Sequence, residues 1–122
     1  MSRFVMRSVP SGIKFDLKAT NGQTSATSEV YRTRASCRKG MESVQKNAPV
    51  AGVEDHTVPE WQNLANPKFE LYRDKRGEYR FRLRARNGAI IVVSEGYTTK
   101  TSCENGIESV RRNADIAEIP ET

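Results

Sequence analysis

One stretch of this 122-residue chain is written twice. Residues 11–48 (SGIKFDLKATNGQTSATSEVYRTRASCRKGMESVQKNA) align without a gap on residues 77–114 (GEYRFRLRARNGAIIVVSEGYTTKTSCENGIESVRRNA), at a constant offset of 66 and with 17 identities in 38 positions. Ordinary composition would supply about two. A fixed-period repeat decides the architecture before any other signal. It divides residues 1–122, expected to form a single compact domain, into a first repeat with its last strand (1–58), a connector (59–68) and a second repeat with its last strand (69–122).

Inside each copy the periodicity changes from two to that of a helix. Ile13, Phe15, Leu17 and Ala19 alternate with Lys14, Asp16, Lys18 and Thr20, and Tyr79, Phe81, Leu83 and Ala85 alternate with arginines. Period two marks half-buried strands. Asn21-Gly22 and Asn87-Gly88 follow, and this dipeptide between strands predicts a type I′ hairpin with positive φ at both residues. Returning strands are expected over Gln23–Ser28 and Ala89–Glu95. The helix of the first copy is expected over Ala35–Lys46, with Cys37, Met41, Val44 and Ala48 on one stripe. Its counterpart opens on a Thr101-to-Glu104 capping box and carries Cys103, Ile107, Val110 and Ala114. Gly40 and Gly106 lie on those stripes at a cost of about 1 kcal/mol each against alanine, which implies close approach of helix and sheet. Strands are also expected over Arg3–Ser8 and Phe69–Arg73, and a short one after each helix, where Val50, Ala51 and Val53 match Ile116, Ala117 and Ile119. Trp61 and Leu64 are expected to anchor the connector to the core. One helix cannot cover one unit's sheet, so two units must share a core.

The Phe-x-Leu-x-Ala strand, Asn-Gly turn, Ser-Glu-x-Tyr and Gly-[Met/Ile]-Glu-Ser-Val-x-x-Asn-Ala helix end, occurring twice in order, resemble the YegP-like family of small domains of uncharacterised function. The resemblance implies an α+β fold. In it, two β-β-β-α-β units share one antiparallel sheet, pack helices on it and exchange their C-terminal strands. It supplies no catalytic residue and calls for no cofactor.

Composition narrows the function classes. Lys and Arg number 20 against 15 Asp and Glu, giving a net charge of +5. The repeat bodies are basic and the segments after each helix acidic, a pattern that favours docking within the chain over an open nucleic-acid binder. No apolar run approaches membrane-spanning length. The N-terminus lacks the apolar core of a secretory signal, and two cysteines without such a signal point to a reducing cytoplasm.

Candidate chemistry is sparse. Cys37 and Cys103 lack CxxC spacing and read as small buried hydrophobes. His56, beside Glu54 and Asp55, has no evident nucleophile or metal partners and reads as a solvated strand histidine. Ser28-Glu29-x-Tyr31 and Ser94-Glu95-x-Tyr97 lack a base and read as corner residues that satisfy backbone groups. No metal site and no enzyme activity is expected.

The sharper feature is a row on the second hairpin, Arg80, Arg82, Arg84 and Arg86 at every second position. The Asn-Gly register would place Val93 opposite Arg82 and Ile91 opposite Arg84, with Tyr72 nearby, all on the face away from the helices. The first hairpin carries an ordinary polar set there. Exposed aliphatics beside arginine suit a partner surface. The expected role is a non-enzymatic interaction module, monomeric, binding a protein partner or itself through this face. Binding of RNA or another polyanion through the arginine row is the alternative.

Overall fold

A computed structural model describes residues 2–120. It contains β1 (Arg3–Val9), β2 (Gly12–Lys18), β3 (Thr24–Ser28), α1 (Arg34–Asn47), β4 (Gly52–Asp55), β5 (Lys68–Arg73), β6 (Tyr79–Arg84), β7 (Ile90–Val93) and α2 (Lys100–Ile116). The strands form one seven-stranded sheet in the order β1-β2-β3-β7-β6-β5-β4. The two halves meet where β3 and β7 pair antiparallel, Thr27 opposite Val93 and Ser28 opposite Val92. No helix among the described residues is long and apolar enough to cross a membrane.

The inner face carries the alternating residues. Phe15, Leu17, Phe69, Leu71, Phe81 and Leu83 are fully buried, as are Cys37, Met41 and Val44 of α1 and Cys103 and Val110 of α2. Phe4 meets Phe15 edge-on at 5.5 Å between ring centroids, and Phe69 meets Phe81 the same way at 5.8 Å. Both helices are capped by a threonine in extended backbone: Thr33 accepts from the Ser36 N–H, and Thr99 from the Ser102 N–H. The second helix therefore opens two residues earlier than its Thr101 capping box predicts.

The two mid-helix glycines have a specific neighbour. A Cβ on Gly40 would stand 2.2 Å from the Tyr31 hydroxyl oxygen, and one on Gly106 would stand 2.5 Å from that of Tyr97. The Ser-Glu-x-Tyr tyrosines thus lie on the bare helix backbone.

The strand after α1 crosses to the far half. β4 pairs with β5, and the pairing is parallel, so the sheet is mixed rather than antiparallel throughout. Parallel neighbours need a crossover of about a dozen residues instead of a hairpin, and residues 56–67 supply it. On the opposite edge the chain after α2 reaches β1. There the Phe4 N–H donates to the Glu118 carbonyl at 2.9 Å, forming one parallel bridge rather than a strand. The expected acidic end of this tail at Glu121 lies outside the described residues.

The hairpin loops differ from the expected type I′ turn. Ala19 N–H donates to the Gln23 carbonyl and Ala85 N–H to the Ala89 carbonyl, which leaves three residues in each loop. Of these only the glycine is left-handed, Gly22 at φ 85° and Gly88 at φ 87°. This is a type I turn closed by a glycine bulge. The extra loop residue shifts the register by one, and an irregularity between Leu83 and Arg84 shifts it back. Val93 does lie opposite Arg82, but Arg84 faces Ile90. Ile91 is the residue left over, and a bulge breaks the in–out alternation. It is therefore not on the outer face: Ile91 is buried in the core beside Val92, 4% exposed.

This loop geometry makes a testable distinction. Gly88→Ala should cost about 1–2 kcal/mol, the usual penalty for a left-handed L-residue. Asn87→Ser, at a residue with ordinary φ, should cost less than about 0.5 kcal/mol. Urea unfolding of the two variants checks this, and equal losses would restore the two-residue turn.

Candidate functional site

Alternation places Glu54, Lys68, Glu70, Tyr72, Arg80 and Arg82 on the face away from the helices. Register then sets Glu54 beside Glu70, Glu70 beside the oppositely charged Arg82, and Tyr72 beside Arg80. The arginines are not free. Arg82 Nε and Arg84 Nε both donate to Glu70 Oε1, at 2.5 and 2.7 Å, and Arg80 Nε donates to Asp74 Oδ2 at 2.7 Å. The Arg82 guanidinium also lies 4.5 Å above the Tyr72 ring. These three side chains remain 27–34% exposed, so the row is ordered but reachable.

Arg86 does not belong to the row. It is an exposed loop residue beyond β6, at the hairpin tip beside α1. The structure thus brings Arg80, Arg82, Arg84, Tyr72 and Val93 together, and sends Ile91 inward and Arg86 to the helix side.

The network continues through residues that the sequence left unconnected. Lys68 Nζ donates to Glu54 Oε2 at 2.7 Å and lies 3.9 Å from Glu70 Oε2. Glu54, only 2% exposed, also takes a bond from the Leu64 N–H at 2.7 Å and pairs with His56 Nε2 at 2.7 Å. His56 stacks on Trp61 at 3.9 Å between centroids, so it is pinned rather than solvated. Leu64 lies against Gly52, where a Cβ would stand 3.0 Å from its Cδ1. Trp61 and Leu64, each 40% exposed, therefore strap the connector to the outer face and do not enter the core.

Burial pushes the Glu54 carboxyl up, but the Lys68, His56 and Leu64 bonds and the Lys68 charge outweigh it and hold it at about 2. Burial likewise works to raise Glu70, and its bonds from Arg82 and Arg84 prevail, leaving it below the usual carboxylate range. Glu54, His56 and Glu70 place one ligand atom each within 4.8 Å of one another, a grouping a metal could use. The Lys68 ammonium already supplies positive charge there, and an ion would have to displace it.

The other candidates resolve into structural roles. The hydroxyls of Ser28 and Ser94 accept from the Phe15 and Phe81 N–H groups, each at 2.9 Å, and donate to the next carbonyl. Cys37 and Cys103 are free and buried, and burial raises both thiols, Cys103 to about 11. A neutral buried thiol is a poor nucleophile. On the first half the outer face holds Arg7 on Asp16 at 2.8 Å and Lys18 on Thr24 at 2.7 Å, and among the described residues no ring lies beneath either cation.

Replacing Glu54 removes the partner of a buried ammonium, a change that costs about 3–5 kcal/mol. Glu54→Gln should lose about that much stability at neutral pH. A carboxylate held at about 2 contributes stability above its ordinary 4.5 and loses it as pH falls from 4.5 toward 2. The gap between wild type and variant should therefore close over that interval. A gap that stays constant in chemical unfolding from pH 7 to pH 3 would rule out the ionised Glu54.

The sequence model of the domain of unknown function DUF1508 matches residues 12–55 and again 74–121. A UPF0339 protein YegP of Escherichia coli O157:H7 is 36% identical over 107 residues, 88% of this chain and 84% of the relative. A UPF0339 protein of Methanosarcina acetivorans is 60% identical over 52 residues, which cover 43% of this chain and 90% of the relative. The solution structure of E. coli yegP, described as of unknown function, superposes with a TM-score of 0.74 at 32% identity. The match covers 93% of this chain and 85% of that one. A UPF0339 protein of Shewanella oneidensis gives 0.75 at 29% identity over the same shares.

Proposed function

The chain belongs to the family of the DUF1508 domain of unknown function, and on that premise we propose that it is a non-enzymatic interaction module which binds a protein partner through the outer face of β5 and β6. The observation that carries this is the arginine row itself: about one-third exposed, fixed in place by Glu70 and Asp74, with Arg82 stacked on Tyr72. Arginine and tyrosine in fixed conformations lose little entropy on binding and dominate protein interfaces. The strap brings exposed Trp61 and Leu64 to the same charge network, so apolar area adjoins the polar contacts. The carboxylates that neutralise the row weaken a reading in which it serves polyanions.

On this reading the chain is a duplicated unit, fused so that each half donates the segment after its helix to the other. Pairing of β4 with β5 and of Glu118 with Arg3 supports that, as does a relative of M. acetivorans matched by fewer than half of these residues. Two free buried thiols fit a reducing compartment such as the cytoplasm. The fused chain itself is a monomer with internal pseudo-two-fold symmetry until a partner, another protein or a second copy, docks.

Tyr72→Ala and Arg84→Ala should abolish the interaction, whereas Lys14→Ala on the first half should not. Quantitative affinity capture with sedimentation velocity of each protein reads the effect. Identical captured sets and identical mass for all four proteins would sink the proposal.

A further inference from the structure

We infer that the cleft between α1 and the tip of the β6–β7 hairpin binds the phosphate backbone of a nucleic acid. The cleft has a volume of about 410 Å³, and its lining includes Lys39, Lys46 and Arg86 with Glu42, Ser43 and Asn87. The three cations are exposed, and none has a carboxylate partner among the described residues. This separates them from Arg80, Arg82 and Arg84, whose charges are matched. Lys39 and Lys46 are two turns apart on one helix face, about 10 Å along the axis, and Arg86 stands across the cleft.

The other half supplies an internal control. The same pair of elements, α2 and the tip of the β2–β3 hairpin, encloses a cleft of about 300 Å³ whose lining includes Asn21, Gln23, Ser102, Asn105 and Ser109, together with the Tyr97 ring, and no charged side chain. At the offset of 66, Lys39 and Arg86 correspond to Asn105 and Thr20, and only Lys46 keeps a cation, Arg112. The two clefts share their scaffold, and one has become cationic. The helices diverge in the same sense: α1 carries four basic residues against Glu42, while α2 carries three of each sign.

The lining identifies the ligand class. An acidic protein surface would need apolar contact area as well, and the only hydrophobic side chain lining the cationic cleft is Ala85. Lysine, arginine, serine and asparagine side chains are the groups that hold phosphates. With no aromatic ring in the cleft, bases have no platform for stacking. Binding is therefore through the backbone and independent of sequence.

Fluorescence anisotropy with a labelled single-stranded oligouridine of about 12 nucleotides, from about 20 to 200 mM salt, tests this. Three cations predict a slope of about −2 in log affinity against log salt. The exchange Lys39→Asn with Arg86→Thr installs residues that the other half already carries in the same setting. It should lower affinity on the order of tenfold at low salt and reduce the slope to about −0.7, with Arg82→Ala unchanged in both. The reciprocal exchange, Asn105→Lys with Thr20→Arg, should raise the stoichiometry from one site to two. Absence of binding at the lowest salt overturns the inference. So would retained binding after the first exchange, loss on Arg82→Ala, or equal affinity for an oligoglutamate of the same charge.

Discussion

The distance between each helix and the sheet is set by a phenol ring resting on a glycine. Tyr31 occupies the space a side chain on Gly40 would fill, and Tyr97 does so at Gly106. Each ring also stacks near a sheet phenylalanine, Phe15 at 6.1 Å and Phe81 at 6.5 Å. Those phenylalanines come within 3.0 and 3.1 Å of the same missing Cβ positions. Helix, tyrosine and sheet therefore lock at one spacing in both halves. The serine before each tyrosine fixes the strand end by taking the phenylalanine N–H. About half of the residues shared by the two copies take part in this arrangement or in the core beneath it, and most of the others form the hairpin loops, the helix caps and the helix surface.

That division explains what was legible. Phe15, Leu17, Phe81 and Leu83 announce their face through period two, and the Cys/Met/Val stripe announces the helix, because burial is periodic wherever structure is. Gly40 and Gly106 announced a close approach, although the tyrosines as its cause were not evident. The Asn-Gly loops misled, because that dipeptide serves both a two-residue turn and a three-residue loop with left-handed glycine. Compensation by a bulge then hid the error everywhere except at Arg84, Arg86 and Ile91. An apolar residue at a bulge has no parity to read.

The outer face was less legible because its partners are distant in sequence. Glu54 meets Lys68 only because β4 enters the sheet parallel to β5, and a parallel edge leaves no hairpin signal. A buried ion pair of this kind adds little net stability against an apolar replacement, but it strongly penalises a missing partner. It therefore selects one register for β4 and one path for the strap. The charge network is better understood as a specifier of the edge than as a source of stability. The surfaces above it, and the cleft on the helix side, are where the two halves depart from one another.

The tyrosine–glycine contact is tested most directly by a double-mutant cycle between Tyr31 and Gly40, read by urea unfolding. With Tyr31 present, Gly40→Ala should destabilise by about 1–3 kcal/mol through overpacking, against the roughly 1 kcal/mol that alanine gains in an open helix. With Tyr31→Leu the ring is gone, and the same Gly40→Ala should become neutral or stabilising. Additivity of the two changes within about 0.5 kcal/mol would contradict the account.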